Sequence, residues 1–295
     1  ATPTPQLTLT ATHTPTPSPS GVRRSGRQPT CTSTSTPTPT LTPTLTPTRV
    51  PLRAEVMLEP GQVVQGRSAV VRVRANRHCS VRGTIDERQL SFVSSDDREH
   101  VALLGVHALA PPEAQPLVVS VRSDDGQELC LATQLHVVEG EFGHEELHFS
   151  PTVRKLLDPE IMREENLYVA EVFASFSPEM HWEGPFDYPL PGAITSPFGT
   201  RRKYEGKLTG YHTGTDIRGQ EGAVVRAPAA GIVLLAESLQ VRGNMVIIDH
   251  GAGVLTGYCH LHSIEVGEGQ AVARGDPLGT VGSTGLVTGP HLHWE

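Results

Sequence analysis

The chain has 295 residues, with 24 basic and 32 acidic side chains, a formal net charge of −8 and 37% hydrophobic residues. That length accommodates about two cored domains plus connecting segments. No stretch approaches the ~18 uninterrupted apolar residues of a membrane-spanning helix. The acidic balance argues against nucleic acid as the main partner, since phosphate binding needs a basic face.

The first 50 residues hold 17 Thr and 10 Pro and no acidic residue. Proline removes backbone donors, and the polar remainder buries too little surface to offset chain entropy. Residues 1–53 are therefore expected to form a disordered, partly polyproline-like stalk or linker. Thr/Pro-rich stalks are characteristic of the cell exterior, so an extracytoplasmic, secreted or cell-surface location is expected. The chain starts at Ala1 rather than Met and carries no signal peptide, which reads as a lost natural start.

Residues 54–140 change to short runs of alternating polarity, such as Ala69 to Val73, Leu117 to Val121 and Leu131 to Val137. Period two means strands. Turn signals at Glu59-Pro60-Gly61 and Asp124-Asp125-Gly126 separate them at intervals that fit a small Ig-like β-sandwich. Its histidines, His78, His100, His107 and His136, follow no ligand-like spacing. The four cysteines contain no CxxC motif, and a Cys79–Cys130 bridge stays open as an expectation.

Residues 141–190 read as a helical connector. Asp158 caps and Pro159 opens a helix whose Val169, Val172, Phe173 and Phe176 make one apolar stripe, with an end near Ser177-Pro178.

The chemistry concentrates in residues 191–295. Six of the 14 histidines fall between His212 and His293, five of them in His212-Thr-Gly-Thr-Asp216, Tyr258-Cys-His260-Leu-His262 and Gly289-Pro-His291-Leu-His293. On strands, residues two or four apart project from one face, so His212 with Asp216, and His291 with His293, can converge. Imidazole nitrogens and one carboxylate form the ligand set of a catalytic zinc. His250, in Asp249-His250-Gly251, sits at a strand end and is expected to bond to backbone instead.

Together with Ile194-Thr-Ser-Pro-Phe-Gly-Thr-Arg201, Gly243 to Gly251, Gly282-Ser-Thr-Gly285 and the final Trp294-Glu295, these motifs make the last 105 residues or so resemble the lysostaphin-like (LytM-type) zinc metalloendopeptidases. The resemblance implies a mainly β protein with a C-terminal antiparallel β catalytic domain of the duplicated-hybrid-motif type. It also implies Zn2+ as cofactor and cleavage of peptide bonds in the stems or cross-links of bacterial peptidoglycan. Carried over residue by residue, it makes His212, Asp216 and His293 the zinc ligands and His260 and His291 the catalytic histidines. Tyr204 becomes a candidate oxyanion stabiliser.

The alternative is a non-catalytic member that binds and activates other wall hydrolases, which the complete ligand set argues against. Two features depart from the pattern. His262 is expected on the strand face of His260, as a harmless substitution, with a substrate contact or spare proton acceptor as the alternatives, and Cys259 on the opposite face as a core residue. Relatives continue with a further strand after the HxH motif, so the end at Glu295 reads as a truncation that leaves the last strand an open edge.

Overall fold

The computed structural model describes residues 50–295, apart from positions 87, 95, 205 and 207. The stalk expected over 1–53 lies, up to residue 49, outside the described residues, as does Cys31.

Nine strands fill the region that the alternating pattern marks: β1 (Ala54–Glu59), β2 (Gln62–Val64), β3 (Ser68–Ala75), β4 (Cys79–Ile85), β5 (Arg88–Leu90), β6 (Val93–Ser94), β7 (Glu99–Gly105), β8 (Ala114–Ser123) and β9 (Glu128–Val138). They form two sheets, ordered β1-β3-β7-β6 and β2-β9-β8-β4-β5. Every second residue of β8 is buried, so Leu117, Val119 and Val121 join Val71 and Val73 of β3 in one core. The intervening residues face outward, as the period-two pattern requires.

Cys79 and Cys130 are both free thiols. Cys79 pairs with Ser123 and Cys130 with Ser120 on opposite flanks of β8, so a strand separates them. Two inter-strand spacings of ~4.8 Å exceed the roughly 7 Å limit on Cα separation for a disulfide. Cys79 is buried with its Sγ 3.5 Å from His100 Nε2, whereas Cys130 is exposed.

The connector is less purely helical than expected. It begins with a strand, β10 (His144–Leu147), followed by a 3₁₀ turn (Val153–Leu157) and α1 (Pro159–Phe173). The helix starts as read, with the Asp158 carboxylate accepting from the Glu160 N–H at 2.8 Å. It stops earlier than read, at Phe173, and Phe176 lies beyond it, 39% exposed. Tertiary hydrogen bonds explain the early end. Ser177 Oγ donates to Asp249 Oδ2 at 2.6 Å, and the Ser177 carbonyl accepts from Ala252 N–H at 2.7 Å, which draws the chain away from the helix axis.

The remaining strands are β11 (Ile194–Ser196), β12 (Arg201–Tyr204), β13 (Leu208–Tyr211), β14 (Thr215–Ile217), β15 (Val224–Arg226), β16 (Gly231–Ser238), β17 (Asn244–Gly251), β18 (Val254–Ile264), β19 (Ala271–Val272), β20 (Pro277–Val281) and β21 (Leu292–Trp294). Most form an antiparallel sheet ordered β11-β14-β21-β18-β17-β16-β19, with β15 and β20 attached through β18. Strand β17 is apolar on both faces. Val246 and Ile248 enter one core with Ile217, Tyr258 and Leu292, while Met245 and Ile247 pack with Cys259 beneath Val169 of α1. Cys259 is thus a core residue, as expected. A strand covered on both sides reads as a continuous hydrophobic run, which Met245 to Ile248 is.

The last strand is not an open edge. β21 lies between β14 and β18 and pairs with both. The expected truncation therefore leaves no unpaired flank on the HxH strand. The domain boundary expected at residue 190 is likewise crossed by strand pairing, because β10 runs parallel to β12 in a small sheet with β13. Among the described residues no helix is long and apolar enough to cross a membrane.

Candidate active site

The antiparallel register places Asp216 of β14 directly opposite His293 of β21. His212, just before β14, is tied to the same region by its N–H to the Thr200 carbonyl at 2.8 Å. Gly214 permits the close approach: a Cβ there would stand 2.5 Å from the Trp294 carbonyl oxygen and 2.9 Å from the His293 ring. As a result His212 Nε2, Asp216 Oδ1 and His293 Nδ1 lie 2.8 to 2.9 Å from one another, and all three residues are buried.

The outer nitrogens of both rings identify the protonation pattern. His293 Nε2 faces the Glu295 carboxylate at 3.1 Å, and His212 Nδ1 faces the Pro197 carbonyl and Ser196 Oγ, each at 3.1 Å. Carbonyl and carboxylate oxygens only accept, so these nitrogens carry the protons and donate. In neutral imidazoles His212 Nε2 and His293 Nδ1 then present lone pairs to each other and to Asp216 Oδ1. Three lone pairs aimed at one point need a cation between them, a proton in the metal-free protein or a metal ion. The donor set, two imidazoles and one carboxylate, with each imidazole held from behind, fits a divalent transition metal of the zinc type.

The electrostatics agree. Burial would lower the His293 imidazole, but hydrogen bonds to Asp216 and Glu295 outweigh it and hold the pKa up at about 9, so this point attracts positive charge. Burial would raise Asp216 and Glu295, yet the hydrogen bonds they accept from the histidines keep both carboxyls well below their ordinary range. Burial lowers His212, which stays neutral.

His260 and His291 flank this cluster. Their ring centroids are 5.2 Å apart, and His260 lies 5.8 Å from His293. His260 Nδ1 donates to the Thr284 carbonyl and His291 Nδ1 to the Gly289 carbonyl, both at 2.8 Å. Each ring therefore keeps Nε2 as a proton acceptor. His291 Nε2 is 3.6 Å from Asp216 Oδ1. Desolvation, reinforced by His293 and His291, pushes the His260 pKa down to about 3, so this ring is an uncharged base at neutral pH.

All five side chains read from the motifs thus meet in one place, and a cleft of ≈ 500 Å³ is lined by four of them, Asp216, His260, His291 and His293, with His212 buried behind them. Tyr204 lines the same cleft, half-buried and stacked on Phe149 with centroids 6.3 Å apart. Burial raises its phenol pKa against the opposing pull of Arg202, so the hydroxyl keeps its proton as a donor.

His262 does not join them. His260 has φ 63°, and the pairing register shifts nearby, so the alternation of β18 breaks before His262. His262 instead faces solvent with Nδ1 3.3 Å from Glu221 Oε1. His250 behaves as read: Nδ1 donates to the Ala230 carbonyl at 2.7 Å, and Nε2 lies 2.8 Å from Thr256 Oγ1.

The structure adds residues that the motifs did not name. Glu295 backs His293 and also accepts from Thr213 Oγ1 at 2.6 Å. Its signal was present, since it stands two positions after His293 on the same strand face. Arg202 donates to Asp216 Oδ2 at 3.0 Å, and no local pattern announces that contact. Glu165 of α1 is buried and accepts the Val241 and Arg242 N–H groups at 2.7 and 2.8 Å, while the Arg242 carbonyl accepts the His260 N–H at 2.9 Å. The helix thereby anchors the loop that holds His260. Leu147, Phe149, Pro159 and Met162 of the connector line the cleft as well.

Residues 210–295 match peptidase family M23. This part of the chain belongs to that family. The lysostaphin-like resemblance of the motifs is borne out at family level. Peptidoglycan DD-endopeptidase ShyA of Vibrio cholerae is 42% identical over 103 residues, 35% of this chain and 24% of that protein. DD-carboxypeptidase/endopeptidase Mpg of Neisseria meningitidis is 43% identical over 102 residues, again 35% of this chain and 24% of that one. The chain thus spans about a quarter of the length of these curated relatives. A crystal structure assigned to peptidase M23 from Pseudomonas aeruginosa is similar over 78% of this chain and 87% of its own, with 28% identity and a TM-score of 0.57. That M23 likeness extends well beyond residues 210–295, into the front half.

Proposed function

We propose that this M23 protein is a zinc-dependent endopeptidase that hydrolyses peptide bonds in the stems or cross-links of bacterial peptidoglycan, outside the cytoplasm. The observation that carries the proposal is the convergence of three lone pairs, from His212, Asp216 and His293, beside two histidines that each keep a free acceptor nitrogen. The names of the M23 relatives support the substrate class. A regulator without catalysis would have no need of all five side chains.

His212, Asp216 and His293 would hold zinc, which polarises the scissile carbonyl and makes the attacking water more acidic. The protein groups handle the protons. His260, uncharged at working pH, takes the proton from the attacking water at Nε2. As the C–N bond breaks, His291 Nε2, the other free acceptor, relays that same proton from His260 to the leaving amine, and Tyr204 donates its hydroxyl to the oxygen on which negative charge develops. The Thr/Pro segment and the sandwich serve as stalk and spacer that hold the catalytic part near its substrate and raise its effective concentration there.

The test is digestion of purified peptidoglycans of differing cross-link chemistry by the zinc-loaded chain, with new amino termini identified by mass spectrometry. New termini in stem or cross-link peptides are expected, lost on chelation and regained when zinc is returned. If the zinc-loaded, folded protein frees no amino group from any of these walls, the proposal fails.

A further inference from the structure

Within the proposed zinc site, we infer that Glu145, on the strand β10 that precedes the family-matched residues, is the outer carboxylate that orients two of the three metal ligands. Its position follows from register. β10 runs parallel to β12 with Glu145 directly beside Arg202. The Arg202 Nε donates to Glu145 Oε1, and the pair is mostly shielded, at 13% and 27% side-chain exposure.

Two chains of contacts lead from this carboxylate to the ligands. In the first, Arg202 is held by Glu145 and directs Nη2 to Asp216 Oδ2 at 3.0 Å, which leaves Oδ1 free to face the two histidines. In the second, Ser196 Oγ donates to Glu145 at 3.1 Å and lies 3.1 Å from His212 Nδ1. The carboxylate cannot donate, so the hydroxyl proton points at Glu145 and the Ser196 oxygen is left to accept from the His212 N–H. Together with the Pro197 carbonyl, which accepts from the same Nδ1 at 3.1 Å, this holds the tautomer in which His212 Nε2 carries the lone pair. Glu145 also balances the Arg202 charge, which would otherwise draw electron density from Asp216. A carboxylate behind a ligating histidine raises its basicity, and loss of such a partner weakens metal binding by roughly 10–100-fold.

Glu145 is a positioning residue, since it does not itself line the cleft and reaches the ligands only through Arg202 and Ser196. The test uses the full chain and compares zinc affinity, by competition with a fluorescent chelator, for the wild type, Glu145→Gln, Glu145→Asp and the control Glu146→Gln, whose side chain is 48% exposed. Glu145→Gln is expected to bind zinc roughly 10–100-fold more weakly. Glu145→Asp, which keeps the charge, should recover part of that loss, and Glu146→Gln should match the wild type. Melting temperatures of the metal-free proteins separate positioning from support of the fold: a Glu145→Gln protein with a lowered melting temperature but wild-type zinc affinity overturns the inference. Should Glu145→Gln not fold, Ser196→Ala decides, because unchanged zinc affinity there removes the proposed relay. The function proposed above fails on its own terms if the wild type binds zinc but frees no amino groups, while the affinity series still decides the role of Glu145. A wild type that takes up no zinc overturns both.

Discussion

His293→Ala and Asp216→Asn are expected to lose metal and peptidase activity together. The first removes one of three converging donors and the second replaces the anionic carboxylate with a neutral amide, so the affinity loss should exceed the roughly 10–100-fold typical of an outer partner. Asn is preferred at 216 because it preserves the shape beside Arg202, whose guanidinium would be left facing an empty space by Ala. Metal analysis after gel filtration with zinc in excess checks both variants, and retention of a full equivalent of zinc by either one would remove that residue from the ligand set. The wild type should also show a definite pH dependence. In the metal-free protein the carboxylates hold the His293 pKa at about 9, so below that value a proton occupies the nitrogen that zinc requires. Affinity should rise about tenfold per pH unit through the neutral range and level off above about 9. Asp216, far below its usual range, and His212, lowered by burial, add little competition there. An affinity that does not change between about pH 6 and 8 contradicts this proton count.

His260→Asn and His291→Ala should behave in the opposite way, keeping zinc while activity falls on the order of 10²-fold or more. These rings bond to the Thr284 and Gly289 carbonyls and approach the ligands without completing the three-atom cluster. Asn suits position 260 because φ 63° is a left-handed conformation that Asn tolerates better than Ala. Zinc content and turnover of a soluble cross-link peptide, measured on the same preparations, make the comparison. Zinc loss as severe as that of His293→Ala would reassign the affected histidine to the ligand set.

The two sets of variants separate because the histidines of one motif do different work. His291 and His293 are two residues apart, yet His293 is backed by the Glu295 carboxylate and His291 by a backbone carbonyl. A carboxylate partner favours positive charge at the ring, whether a proton or a metal, more strongly than a carbonyl partner, which mainly fixes the tautomer.

The sequence by itself marked the residues that meet at the candidate site and the kind of structure around them. Strand alternation marked the sandwich because one face of each strand must be buried, and Asp158-Pro159 marked the helix start because the cap and the missing N–H act within one turn. Histidine and aspartate spacings of two and four marked the site because strand geometry places such residues on one face. These are local rules, and they failed where long-range contacts competed. Hydrogen bonds of Ser177, donated to Asp249 and accepted from Ala252, end the helix before Phe176, and the positive φ of His260 turns His262 away from the face it was expected to share. Strand order was equally hidden. Only the tertiary structure inserts β21 between β14 and β18, which closes the expected edge, and sets β10 beside β12, which brings Glu145 to Arg202 across 57 positions of sequence. The His-Asp-His cluster could be read from sequence because its donor atoms and spacing are written in short segments. The groups that orient them could not, because a carboxylate becomes an outer partner only through the neighbours that folding gives it.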